Sequence, residues 1–330
     1  MASADFPGYF SVLRSGWGTP SETAAWFVHG NHYWDHSHAD QGEVVLYALG
    51  APLSLDWGST YEPRVDGAFA HSVALPEKIL GHPWDRPDPP LNAGAGWGTF
   101  AGVKTTREAF HADPRGGWAR ARMRAPDGSF SWTRAVSVAT LADGTPVIAL
   151  QDTFDGEAGP RVFTLNLVAE GDVETPSGRV TPAPRIWGYD QTASDRKELP
   201  SAGPAFSLPA GVGRLRFTGQ SWKAHPSGGI DFDVYVVADR EQKAQVGNWA
   251  HAWHPGREAG RFERANGRPF EERQHILRIR GDGPFRVLLV PRPKGRAGAE
   301  PAVKAEGDSL VVRPGRSAIR LAPDGTWAAE

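Results

Sequence analysis

The run Glu43-Val-Val-Leu-Tyr-Ala-Leu49-Gly50-Ala-Pro-Leu-Ser-Leu-Asp56 decides the fold class. Two segments rich in β-branched, aromatic and aliphatic residues flank a Gly-Ala-Pro turn, which is the pattern of a β-hairpin. Outward from it, comparable runs recur at Ser131–Ala139, Val147–Phe154, Arg161–Val168, Gly213–Phe217, Ile230–Val237, His275–Ile279, Phe285–Val290 and Ser309–Val312. Each is bounded by Gly, Pro or Asp. Helical periodicity is confined to the short segments Glu241–Trp249 and Pro269–Gln274. With 39 Gly and 28 Pro among 330 residues, about a fifth of the chain is turn-forming. The expected fold is all-β: a large antiparallel multi-sheet β-sandwich followed by a smaller β-sandwich.

Between Gly171 and Gly211 the chain turns rich in Pro, Ser, Thr and Gly with weak apolar patterning. This places an expected seam near residue 205, dividing a larger unit (1–205), which carries the histidine-rich segment, from a smaller C-terminal one (206–330).

Composition removes several functions. Lys and Arg number 36 against 38 Asp and Glu, so no basic excess exists to draw the chain onto nucleic acid or anionic lipid. There is no cysteine, which excludes disulfides, thiolate metal sites and a cysteine nucleophile. No basic stretch followed by an apolar run opens the sequence, and no stretch of about eighteen apolar residues occurs, so neither an export signal nor a membrane span is expected.

Four of the eleven histidines (His29, His32, His36 and His38) fall within ten residues. In an extended segment residues two apart share a side, so His36 and His38 aim at one point from about 6–7 Å apart. Pairing across the hairpin brings Asp56 back toward His38. His71, between Ala68-Phe-Ala70 and Ser72-Val-Ala-Leu75, supplies a third group from another strand. An aspartate between Leu55 and Trp57, and a histidine following Phe69, each need a polar reason to stand near a core. Two imidazoles and one carboxylate around an open position suit zinc.

These residues carry a resemblance. His36-Ser-His38-Ala-Asp40-Gln-Gly42, Leu46-Tyr-Ala-Leu-Gly50-Ala-Pro-Leu53, Asp56-Trp-Gly58 with Tyr61, and Ala70-His71-Ser72-Val73 resemble, in order, the C-terminal β-sheet part of the heparinase II/III-like polysaccharide lyases. Gln274-His-Ile-Leu-Arg278 and Pro284–Pro291 resemble late strands of the same module. The resemblance implies one zinc ion held by His38, Asp56 and His71, with His36 pointing into a substrate cleft and Tyr61 near it. Ser72 stands where the family usually has Asn.

The family acts by β-elimination on uronate-containing polysaccharides. That chemistry requires neutralisation of the uronate carboxylate, a base for the C5 proton and an acid for the O4 leaving group. The candidates for these tasks are His36 (neutraliser or base), Tyr61 or Tyr33 (proton exchange) and Arg64 or Arg14 (carboxylate clamp). Trp34, Trp57 and Trp84 are candidates to stack on sugar rings. The family also carries an N-terminal helical toroid that this sequence does not show, so the partners implied are an anionic polysaccharide and either a separate helical domain or a second copy of the chain. The family's usual setting is the periplasm or the cell exterior, which implies a signal-bearing segment before this one; otherwise the chain stays in the cytoplasm.

Two other readings stand beside it. Gly30, His36-x-His38, Glu43 and Gly50 match the first cupin motif, with His71 as fourth ligand; there Glu43 binds the metal, whereas in the lyase-like reading Glu43 faces away and Asp56 binds. The third is a metal-stiffened β module without turnover that binds an anionic glycan or packs on a separate catalytic domain.

Overall fold

The computed structural model describes residues 3–30, 40–56, 68–77, 103–125, 127–156, 159–188, 203–221, 228–252, 271–296, 300–313 and 318–329. Among them the regular structure is strand, with a single 3-10 turn at Ala68–Ala70. The N-terminal sheet has five strands in chain order: β1 (Ala4–Phe6), β2 (Phe10–Ser15), β3 (Thr23–Val28), β4 (Val44–Ala48) and β5 (Ala51–Ser54). The strands that follow are β6 (Ala74–Pro76), β7 (Lys104–Asp113), β8 (Gly116–Arg124), β9 (Phe130–Thr140), β10 (Pro146–Gly156), β11 (Arg161–Leu167), β12 (Ala169–Thr175) and β13 (Gly178–Val180). The remainder are β14 (Ala183–Gly188), β15 (Ala205–Leu208), β16 (Gly211–Gly219), β17 (Ile230–Ala238), β18 (Gln242–Ala252), β19 (Glu271–Gly281), β20 (Phe285–Pro293), β21 (Ala302–Glu306), β22 (Ser309–Arg313), β23 (Ile319–Leu321) and β24 (Trp327–Ala329).

A nine-stranded sheet, ordered β13-β12-β16-β17-β20-β10-β9-β8-β7, forms the middle layer. A six-stranded sheet runs β14-β18-β19-β11-β6 with β15, its sixth strand, also paired with β18, and the last four strands make a small sheet. Pairing among the described residues is antiparallel except between β14 and β18. Alternation along β10 shows how the layers meet. Ile148 and Leu150 enter the main core with Leu13, Phe27, Leu46 and Leu53 of the N-terminal sheet and Phe163, Leu277 and Ile279 of the six-stranded one. Val147 and Ala149 face the other way, onto Leu310, Val312, Ile319 and Leu321 of the C-terminal sheet.

The all-β, multi-sheet sandwich expected from the sequence is what the structure has, and each expected strand coincides with one observed. Two expectations change. The segments with helical periodicity, Glu241–Trp249 and Pro269–Gln274, fall in β18 and at the start of β19. These strands pair with each other, Lys243 opposite Arg280 through Ala252 opposite Glu271, and Ala244, Val246 and Trp249 are buried, so tertiary cover outweighs local periodicity. Nor do the sheets part at residue 205: β12 pairs with β16 and β10 with β20, both across that point. Pro176, Ser177 and Gly178 serve the β12–β13 hairpin, while 189–202 lie outside the described residues.

Candidate functional site

The hairpin β4–β5 turns at Leu49 and Gly50, both at positive φ (54° and 79°), so Ala51 and Pro52 already belong to β5 and not to the turn. This brings the residues after β5 back alongside those before β4. Glu43 precedes β4, and Gly42 before it has φ 85°, where a Cβ would stand 2.4 Å from the Trp132 ring. Only glycine lets the chain turn there and press against the middle sheet. Asp56 follows β5, and the side-chain amide of Gln274 on β19 pins its neighbour: Leu55 N donates to Gln274 Oε1 at 3.1 Å, and Gln274 Nε2 donates to Leu55 O at 3.0 Å. His71 comes from the turn ending at Ala70, tied down by Asn166 Nδ2 donating to Ala70 O at 2.7 Å.

The three side chains converge. His71 Nδ1 lies 2.9 Å from Glu43 Oε2 and 3.0 Å from Asp56 Oδ1. Glu43 and His71 are buried, while Asp56 keeps 35% of its side chain exposed. Glu43 Oε1 also accepts from the backbone N–H of Ser72 at 3.1 Å, and Ser72 Oγ accepts from Asn166 N at 3.1 Å. The serine that stands where the family usually has Asn therefore bridges the acid to β11.

Burial raises the Glu43 carboxyl to about 7; Asp56 adds to the rise and His71 opposes it. For His71 burial works against the charged form, but Glu43 and Asp56 outweigh it and hold the imidazole well above its ordinary value. Among the described residues, one imidazole thus faces two carboxylates.

Behind it lies a second buried group. Arg134 on β9 and Asp152 on β10 are opposite residues in register, both without solvent exposure. Arg134 Nε and Nη2 donate to the two oxygens of Asp152 at 2.7 and 3.0 Å, and Trp132 Nε1 donates to Asp152 Oδ1 at 2.7 Å. The remaining guanidinium nitrogen, Nη1, donates to Gly42 O at 2.8 Å and Ser72 O at 2.5 Å. Those carbonyls belong to the residues next to Glu43 and His71, so Arg134 fixes the backbone that presents both side chains.

Of the residues expected from the sequence, Asp56 and His71 are brought together. His36, His38, Tyr61 and Arg64, with Tyr33, Trp34, Trp57 and Trp84, lie outside the described residues. Glu43 does not face away: it binds His71, because the turn at Gly42 breaks the alternation that would have carried it to the far side. Arg134, Asp152 and Gln274 were not foreseen. Their signal was a charged residue on the core face of each of two strands, Arg134 between Trp132 and Val136 and Asp152 after Ile148 and Leu150. Glu43, Asp56 and His71 offer ligand atoms within 4.8 Å of one another, and a mixed carboxylate and imidazole donor set fits a divalent cation.

No family model and no curated protein matches the sequence. Solved structures do. A heparinase III is similar at TM-score 0.54 and 9% identity, and the heparan sulfate lyase HepC from Pedobacter heparinus at TM-score 0.56 and 11% identity. Each match covers 100% of this chain and 42% of the other, so the chain spans less than half the length of these relatives. A cupin reading is not favoured: it leaves Asp56 without a part, and the four-sheet assembly matches lyases instead. From end to end, then, this chain has the fold of the C-terminal β-sheet part of heparinase III and heparan sulfate lyase.

Proposed function

We propose that the chain is the β-sheet module of a polysaccharide lyase-like protein that acts on uronate-containing glycans by β-elimination, in concert with a helical domain. The observation that carries this is the Glu43–Asp56–His71 cluster standing on the fold of lyases whose names specify heparan sulfate. In this reading one zinc ion is held by Asp56 and His71 together with His38, and Glu43 is either a further ligand or the acid that orients His71. The ion supplies positive charge that organises the hairpin and the 68–77 segment. His36 neutralises the uronate carboxylate or takes its proton, Tyr61 exchanges a proton and Arg64 clamps the carboxylate.

Elemental analysis of the purified chain, of Asp56→Asn and of Glu43→Gln, together with incubation of the chain with heparan sulfate and alginate, tests this. The expected result is about one zinc per chain, lost in Asp56→Asn, and absorbance of unsaturated uronate products once a helical partner is present. A chain that holds no divalent ion, and neither binds nor cleaves any uronate polymer, overturns the reading. Because the chain spans 42% of its structural relatives, a second reading stands: a glycan-binding module, marked by binding with no rise in absorbance even when a partner is added.

A further inference from the structure

We infer that the outward face of the N-terminal sheet carries a binding subsite for an acidic saccharide, built on Arg14 and Trp17. Along β2, Phe10, Val12 and Arg14 share one face; Val12 is buried there, whereas Phe10 and Arg14 remain partly exposed. Cross-strand register sets Arg14 beside Ala24, and Ala24 beside Tyr47, while Val12 stands beside Trp26. Trp26 and Tyr47 meet edge to face with centroids 5.3 Å apart, which puts them on that same outward side. Trp17, just beyond β2, is 54% exposed, yet its ring lies under the Arg14 guanidinium at 3.9 Å, with Trp26 at 5.6 Å. The guanidinium is thus framed by two indoles.

What this arginine lacks is an acid. Among the described residues no Asp or Glu forms an ion pair with Arg14, and its buried Nε has no hydrogen-bond partner. Arg107, Arg120, Arg134, Arg216, Arg280 and Arg286 are all paired with carboxylates. An unneutralised guanidinium on a rigid aromatic frame receives a carboxylate or sulfate, and the half-exposed indole beside it offers a flat surface to the C–H face of a sugar ring. The ligand is therefore a sugar unit that carries an acid group: a neutral sugar gains only the stacking, and a bare anion only the charge.

The ligand class rests on the function proposed above; the place does not. Tyr47 is four residues along β4 from Glu43, about 13 Å, so this is a separate subsite toward the other end of the same hairpin.

Titration calorimetry of the whole chain with alginate (a polyuronate), heparan sulfate (uronate and sulfate) and a neutral β-glucan tests it. Tight binding of the acidic polymers and none of the neutral one is expected, and the two acidic arms distinguish uronate from sulfate as the group received. Trp17→Ala and Arg14→Gln each weaken binding about tenfold or more, Trp17→Phe retains most of it, and the distant, exposed Arg240→Gln stays within about twofold. Trp17→Ala keeps the melting temperature of the parent, since that side chain stands half in solvent. Parental affinity in both Trp17→Ala and Arg14→Gln, or no binding by the parent, overturns the subsite. Turnover with a helical partner that is indifferent to both substitutions sinks the subsite and leaves the lyase-like reading in place. Arg14- and Trp17-dependent binding in a chain without metal or turnover sinks the lyase-like reading and leaves the subsite.

Discussion

Arg134 with Asp152, and His71 with Glu43 and Asp56, are neighbouring buried charge clusters of different kinds. In the first, one positive and one negative charge meet through two parallel hydrogen bonds, and the spare guanidinium nitrogen is taken by two backbone carbonyls. In the second, one imidazole faces two carboxylates and one edge is open to solvent. A balanced, closed pair serves architecture; an acid-rich one with an open edge offers the mixed donor set that suits a cation. The first also holds the second in place, since Arg134 grips the carbonyls next to Glu43 and His71.

Breaking the closed pair gives the largest effect. Arg134→Met strands Asp152 as a buried uncompensated charge and costs about 3–5 kcal/mol in urea unfolding, much of it recovered in Arg134→Met/Asp152→Leu. A loss below about 1 kcal/mol in the single variant refutes the contrast drawn here. Gly42→Ala comes next: its Cβ meets Trp132 at 2.4 Å in a left-handed backbone, for a loss of about 1–3 kcal/mol and displacement of Glu43, read by urea midpoint and by zinc content.

The open cluster is sharpened by pH. In the metal-free chain Glu43 is raised from 4.5 to about 7, so the native state keeps a proton that the unfolded chain releases earlier; the stability this contributes is full below 4.5 and is lost as pH climbs through about 7. His71, raised well above 6.5, acts in the same direction from 6.5 upward. Metal-stripped protein is expected to unfold at lower urea near pH 8 than near pH 5. Glu43→Gln flattens the lower part of that slope, and zinc reverses the trend by replacing protons. Identical slopes for the parent and Glu43→Gln contradict this. The smallest effect belongs to the partly exposed pair Arg280–Glu77, where Arg280→Ala costs at most about 1 kcal/mol.

Much of the sheet system was legible because β4, β9, β10, β17 and β20 carry β-branched and aliphatic runs. Strands β7 and β8 were not, since Lys104–Asp113 and Gly116–Arg124 interleave charges with apolar residues at the sheet's edge. In the site, Asp56 and His71 could be read from their apolar neighbours. Glu43 could not, because its orientation depends on the φ of Gly42, and a left-handed glycine is indistinguishable from any other in a sequence. The arginine behind the site required knowing that Arg134 and Asp152 stand opposite each other in register.

His71 hangs from a segment whose next strand, β6, joins the six-stranded sheet through β11, while Glu43 and Asp56 flank a hairpin of the five-stranded one. A cation held among them, as proposed above, would act as a rivet between two layers. Chelation should then loosen both layers together, visible as matched acceleration of amide exchange in Val44–Ser54 and Val73–Pro76, before any strand of the middle sheet opens.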